Sequence, residues 1–406
     1  MFFMVLLLIA ALLEPIIEQF ELPASIFLVL LGYISSEIAT KNFGIDIGIN
    51  WENFQPIIIH FILPVLIFQA AIMTDIRSLR ENALPIFMLA LPLLLISTAV
   101  IAAGVYFGIN HPNGFPWIAA LLTGAILSAT DPSAILMVLR NHGVSERIIL
   151  LLETEGLFSD ATTIVLFSIV IGIALTGGET QNQWMHAAIE FLSVFFGGIA
   201  TGVMTGIAAH FIIRSRDSDY LHILTTIITA YVSFILAQDY FNLSGVMAVL
   251  AAGLTIRTLG KQDHDNASRK YTDKFWGITA KLSDNLIFLL AGVTITLSIF
   301  TDQWLAILTG IVACLIARTL VIFSTFPVLN LVSGQAPVTT TQQFILAWGG
   351  VRGTITLALA LSLPLRLGYW YTVQSIAYGV VLFTLFVQAA SMRLWIKRLK
   401  LGNQQN

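Results

Sequence analysis

Apolar runs of about twenty residues follow one another along almost the whole 406-residue chain, and this constrains the fold more than any single motif. A bilayer core about 30 Å thick is spanned by roughly 20 helical residues rising ~1.5 Å each. Thirteen such spans are predicted: 1–20, 22–38, 55–74, 83–109, 117–140, 147–175, 184–213, 221–241, 244–258, 279–299, 304–329, 342–364 and 372–395. The first is interrupted by Glu14, Pro15 and Glu18, and the ninth is short. Charged residues make up 11% of the chain, against roughly 25% in a soluble domain. An all-α polytopic membrane protein is expected. The opening segment lacks the basic start and small-residue cleavage site of a signal peptide. The longest polar stretch, Thr258 to Thr279, reads as a loop. Cys314 is the single cysteine, which excludes an internal disulfide or a multi-cysteine metal centre. A net charge of −3 without a basic–aromatic cluster gives no nucleic-acid footprint.

Lysine and arginine set the orientation. With the C-terminal tail inside, Lys41 and Arg366 fall outside, Arg318 and Arg352 fall within spans, and the other sixteen of the twenty basic residues fall inside. An error of one span in the middle would mix the two sets. The N-terminus is therefore expected outside and the C-terminus, with its short tail 396–406, in the cytoplasm.

An ionisable residue at mid-bilayer costs at least ~2.5–3.5 kcal/mol on insertion scales and points to function. Asp131, Glu153, Glu155, Asp160, Arg318 and Arg352 all qualify. Asp131 and Glu155 are expected ~12–14 Å from the inner face and Asp160 ~20 Å in, from ~1.5 Å per residue. Four acids against two arginines leave negative charge in a low-dielectric layer, which either holds protons or recruits a cation. Competition between a proton and a metal ion for one carboxylate is antiporter chemistry. On the sixth span Glu155 and Asp160 point about 140° apart. Glu155 should face the interior and pair with an arginine. Asp160 should face a cavity that water reaches, with Gly156 leaving room beside it and Glu153 nearer the cytoplasmic mouth. His60, His210, Glu190, Asp239 and Asp284 read as packing or helix-end residues.

Proline in Thr130-Asp131-Pro132 removes a backbone donor and pushes Asp131 out of the α region, so the fifth span should break there. Gly349-Gly350-Val351-Arg352-Gly353 offers a second break in the twelfth. Two interrupted spans seven helices apart suggest two six-helix inverted-topology repeats with broken helices crossing at the midplane. The repeats would be 1–175 and 221–395, with 184–213 as connector.

At this point the residues resemble the cation:proton antiporter-1 family of sodium/proton exchangers. SATDPSAILMVL resembles its Thr/Val-Asp-Pro element, and ETEGLFSDATTIVLF its Glu-Gly-Glu-Ser-Leu-Phe-Asn-Asp-Ala element. LAWGGVRGTITLALALSLP is similar to its Gly-Gly-Leu-Arg-Gly-Ala helix, and LPVLIFQAAI to its Leu-Pro-Pro-Leu-Leu-Phe-Glu-Ala element. The resemblance implies a thirteen-helix homodimer, with an ion-transport bundle from helices 4–6 and 11–13 and a dimer-interface bundle from the remainder. It implies exchange of cytoplasmic Na⁺, or of Li⁺ or K⁺, for an incoming proton, without a cofactor and without enzymatic activity. By position, Asp160 is the carboxylate that binds cation or proton, Thr130 and Asp131 of the unwound crossing and Ser159 join it in the ion site, Gln69 is an accessory candidate, Glu155 pairs with Arg318, and Arg352 balances the broken-helix ends. The sequence departs from the pattern at Ser159 (usually asparagine), Gly156 (usually serine) and Gln69 (often glutamate). A single aspartate at positions 159–160 resembles the electroneutral branch. Fewer protein oxygens around the ion make a looser site that admits K⁺. A K⁺/H⁺ antiporter, a sodium-coupled organic-anion symporter, a cation channel and a non-transporting sensor are the competing readings.

Overall fold

The computed structural model describes residues 2–19, 23–43, 56–109, 114–176, 183–215, 218–260, 267–332 and 337–399, and every regular element among them is helical. In chain order the α-helices are α1 (Phe2–Gln19), α2 (Ala24–Phe43), α3 (Leu63–Met73), α4 (Ile76–Glu81), α5 (Ala83–Ala90), α6 (Pro92–Gly108), α7 (Trp117–Ser128), α8 (Ser133–Asn141), α9 (Glu146–Thr176) and α10 (Gln183–Ser215). They continue as α11 (Asp219–Ile235), α12 (Gly245–Leu259), α13 (Ala267–Thr294), α14 (Leu297–Asp302), α15 (Trp304–Val332), α16 (Thr340–Trp348), α17 (Thr354–Leu361), α18 (Trp370–Phe383) and α19 (Ala390–Arg398). Single π-helical turns at Ile58–Ile62, Leu236–Tyr240 and Thr384–Ala389 extend α3, α11 and α18.

Among the described residues, seven stretches are long and apolar enough to cross a bilayer on their own: Ala83–Gly108, Trp117–Asn141, Glu146–Leu175, Ile189–Ser215, Asp219–Tyr240, Trp304–Leu331 and Trp370–Arg398. The other predicted spans fall on shorter apolar helices (Met4–Leu13, Ala24–Ala39, Ile58–Met73 and Gly245–Leu259), on α13, and on the broken pair α16–α17.

The expected span 83–109 falls on the single stretch Ala83–Gly108. Leu91 (φ −123°, ψ −74°) separates α5 from α6 within it, because Pro92 has no N–H to continue the ladder. The structure corrects one expectation: the stretch Thr258–Thr279 is not a loop throughout, since α13 already starts at Ala267. Its Thr272, Trp276 and Ala280 recur at helical spacing and are buried. Trp276 Nε1 donates to Thr226 Oγ1 at 3.0 Å, His222 Nδ1 lies 2.7 Å from Thr272 Oγ1, and Arg257 pairs with Asp273 at 3.7 Å. A polar composition concealed one apolar face.

Contacts divide the chain into two compact units, Met1–Phe54, Asn82–Thr163 and Asn285–Asn406 in the first, Gln55–Glu81 and Ile164–Asp284 in the second. The second is built around α10 against α12. Lipid supplies no hydrophobic force between helices, so close packing of small residues takes its place. Gly198, Gly202 and Gly206, spaced every four residues, form a stripe on α10, and a Cβ on each would strike backbone or Cβ atoms of Ser244, Met247, Ala248, Ala252 or Thr255. In the first unit α6, α7, α15 and α18 pack together and carry the two interrupted segments between them.

Overpacking the seam tests it. Gly202→Leu is expected to destabilise the protein by about 1–3 kcal/mol, read as a lower Tm in detergent, whereas Gly172→Ala, whose Cβ would meet nothing within 4 Å, leaves Tm unchanged. Equal behaviour of the two variants would dismiss backbone contact as the source of packing.

Candidate ion-binding site

Proline and glycine break the two helices where the sequence places them. α7 stops at Ser128, and Ala129 is extended (φ −59°, ψ 139°) before Pro132 leads into α8. α16 begins with a capping box, in which Thr339 accepts from Gln342 N and the Gln342 side chain accepts from Thr339 N, and it ends at Gly349. Gly353 (φ −144°, ψ −138°) precedes α17. The unwound segments meet: Asp131 N donates to Val351 O at 2.8 Å. Gly353 has to be glycine at this approach, since a Cβ would run into the Asp131 carboxylate.

Four half-helices end at this crossing, and charged side chains face the ends. Helix N-termini carry partial positive charge and C-termini partial negative charge. Asp131 Oδ1 accepts from Ser133 N at 3.0 Å at the start of α8, and its Oδ2 accepts from Thr354 N at 3.3 Å at the start of α17. One carboxylate thus caps two N-termini. Arg352 Nη1 donates to Ala129 O at 2.9 Å beyond the end of α7, and Arg318 Nη2 donates to Leu346 O at 3.0 Å in the last turn of α16. Each C-terminal end has its own guanidinium.

Glu155 holds Arg318. Nη1 of Arg318 bonds Glu155 Oε1 and Nη2 bonds Oε2 at 2.9 Å, a bidentate pair with 3% and 7% exposure for the two residues. Thr130 Oγ1 lies 3.5 Å from Glu155 Oε1 and 3.3 Å from Ser159 Oγ, which also accepts from Thr130 N at 3.3 Å and donates to Gly156 O at 3.0 Å. A chain of small oxygens therefore links the unwound segment to α9 immediately before Asp160, which is half-buried. One turn further, Thr163 Oγ1 lies 2.9 Å from Ser128 Oγ.

Hydrogen bonds thus bring together Thr130, Asp131, Glu155, Ser159, Arg318 and Arg352, with Asp160 next in sequence. Three further expected site residues make other contacts. Glu153 forms an ion pair with Arg140 of α8. The room beside Gly156 is filled by the unwound segment, since a Cβ would lie 2.8 Å from Pro132 Cδ and 3.0 Å from Thr130 O. Gln69 lies in the second unit, where its Nε2 donates to Met73 Sδ at 3.0 Å. Sequence reasoning missed Thr384, whose Oγ1 accepts from Arg352 N at 3.1 Å, because a lone threonine in an apolar helix carries no signal. It also missed Thr354 N and the Ala129 and Leu346 carbonyls, which no side chain announces.

An all-helical chain with interrupted membrane helices, charged at the interruptions, defines a secondary transporter of the broken-helix class. Residues 4–398 match the family described as "Sodium/hydrogen exchanger, transmembrane", and the chain belongs to that family. It is 32% identical over 357 residues to the Na(+)/H(+) antiporter ApNhaP of Aphanothece halophytica, covering 87% of this chain and 67% of that one. It is 30% identical over 396 residues to the low-affinity Na(+)/H(+) antiporter NhaS1 of Synechocystis sp., covering 96% and 72%. The fold is similar to that of the sodium proton antiporter MjNhaP1 from Methanocaldococcus jannaschii at pH 8, with a TM-score of 0.79 and 20% identity over 95% of this chain and 97% of that one.

Removing one member of the buried pair should be far worse than removing both. Arg318→Leu is expected to cost about 3–5 kcal/mol by stranding the Glu155 carboxylate, read as a fall in folded yield and Tm. The double variant Glu155→Leu/Arg318→Leu should recover most of that loss; equal losses would mean that the two side chains do not act as a unit.

Proposed function

We propose that the chain exchanges Na⁺ for H⁺ across a membrane, one for one, with Asp160 as the carboxylate that takes cation and proton in turn. The observation that carries this reading is the charge balance at the crossing. Glu153 is neutralised by Arg140, and Glu155 by Arg318. Asp131 and Arg352 offset each other at the helix ends they face. Three site carboxylates (Asp131, Glu155, Asp160) against two arginines (Arg318, Arg352) leave one negative charge, which a single Na⁺ or a single H⁺ completes. Two bound cations would leave a net positive charge in a low-dielectric layer, which is costly. The names of the relatives, Na⁺/H⁺ antiporters, agree with this chemistry.

Each remaining group has a part. The hydroxyls of Thr130 and Ser159, 3.3 Å apart, are compact neutral oxygens, the latter one residue before Asp160 on α9, and are suited to a small hard cation. Glu155 and Arg318 fix α9 against the end of α16, so the site keeps its shape while its charge changes. Asp131 has both oxygens committed to helix N-termini and is assigned to holding the crossing in place of ligating the ion. Opposite membrane faces reach Asp160 alternately as carriers require. The cytoplasmic C-terminus, the two inverted repeats and a homodimeric assembly belong to the same proposal.

In inverted vesicles, Na⁺ should dequench a pH-reporting dye for the natural chain and fail to do so for Asp160→Asn; undiminished exchange in that variant rejects the site. Competition also sets a sign. Raising Na⁺ displaces protons from a shared carboxylate, so the pH profile of exchange should move downward, by up to about one pH unit per tenfold Na⁺. A profile that stays in place across a hundredfold range of Na⁺ rejects the shared carboxylate.

A further inference from the structure

Arg318 and Arg352 meet at a second place besides the crossing. A cavity of about 10 Å³ in the first unit is lined by both arginines together with Cys314, Gly350, Thr384 and Gln388. The guanidiniums are 7% and 2% exposed. Arg318 uses both terminal nitrogens, on Glu155 and Leu346 O, and Arg352 uses Nη1, on Ala129 O. Their Nε–H groups have no oxygen or nitrogen acceptor: among the described residues neither buried Nε has such a partner, and the Cys314 thiol lies against the Arg352 side chain. Buried donors are normally satisfied by protein or by ordered water, and two orphans lining one cavity call for a common acceptor. Gly350 keeps the space open, since a Cβ there would lie 2.7 Å from Arg318 Nε.

Size and charge identify the ligand. A volume of about 10–15 Å³ holds one water molecule, which needs two to four polar partners. An anion is larger, and it would leave an excess negative charge once the transported cation was bound. That second argument rests on the one-carboxylate reading above; the paired donors and the volume do not. We propose that this cavity binds one structural water, which accepts from Arg318 Nε and Arg352 Nε and donates to the Thr384 hydroxyl, the Gln388 amide oxygen or the Cys314 sulfur. The water joins the arginine of the ion pair to the arginine of the unwound segment. It thereby holds Arg352 extended towards the Ala129 carbonyl.

The test uses the full chain in lipid nanodiscs. A cryo-EM map that resolves other buried waters should show a peak within hydrogen-bonding distance of both Nε atoms; an empty cavity in such a map overturns the proposal. Replacing chloride by gluconate should leave Tm in place, and a fall of more than about 2 °C would identify an anion site instead. Cys314→Val, which pushes a methyl group into the cavity, should lower Tm more than Cys314→Ala, which enlarges it. The reverse order marks a dry cavity and overturns the water. Asp160→Asn should retain both the peak and the order of Tm values, so failure of the exchange reading would be recognised separately.

Discussion

Unwound backbone inside a bilayer has no water to satisfy it, and it persists where protein groups replace the lost hydrogen bonds. Here the replacement is the contact of Asp131 with the segment 351–354, backbone to backbone at Val351 and carboxylate to backbone at Thr354. The same carboxylate caps α8. Because Asp131 spans two positive helix ends, two negative ends remain to be covered, and Arg352 and Arg318 cover them. Arg318 in turn needs a counter-charge in a buried position, which Glu155 supplies. The site is thus a sequence of compensations that begins with two breaks in the backbone.

This ordering separates the acids by task. Asp131 serves helix ends, Glu155 serves an arginine, and Glu153 is tied to Arg140 where both are partly open to solvent. Asp160 is the acid to which the proposed exchange assigns the ion. The proposed site, with one such group and two small hydroxyls, offers few protein oxygens to a cation. The departures at Ser159 and Gly156 fit this arrangement in different ways. Ser159 contributes an oxygen to the link with Thr130, while Gly156 lets the unwound segment lie directly on α9.

Much of this was legible from residue types. Apolar run length marks the spans, Pro132 and the Gly349–Gly353 cluster mark the breaks, and charges at a common depth mark Glu155, Arg318 and Arg352 as a group. What escaped has a common physical origin. The N–H and C=O groups at helix ends have no letter in the sequence, so the double cap by Asp131 and the acceptors Ala129 O and Leu346 O were invisible. Composition averaged over Thr258–Thr279 hid the buried face carried by Thr272 and Trp276. Helical-wheel geometry put Glu153 on the face of Asp160, but Arg140 of a neighbouring helix decides where its carboxylate goes. Gly156 is compatible with an opening or with close backbone approach, and only the neighbour distinguishes them.

The broken helix 340–361 also bears on how the chain is made. α16 has nine residues and α17 has eight, so at ~1.5 Å per residue each reaches less than half of a ~30 Å hydrocarbon core. A buried arginine lies between them, with its acceptor 223 residues earlier in the chain. Neither half is a stable transmembrane element alone. During synthesis the segment around Asp131 is already in the membrane when Thr340–Leu361 emerges, and it offers the carbonyl that Arg352 bonds and the carboxylate that caps α17. The groups that satisfy the later break therefore lie in the half of the polypeptide that is synthesised first.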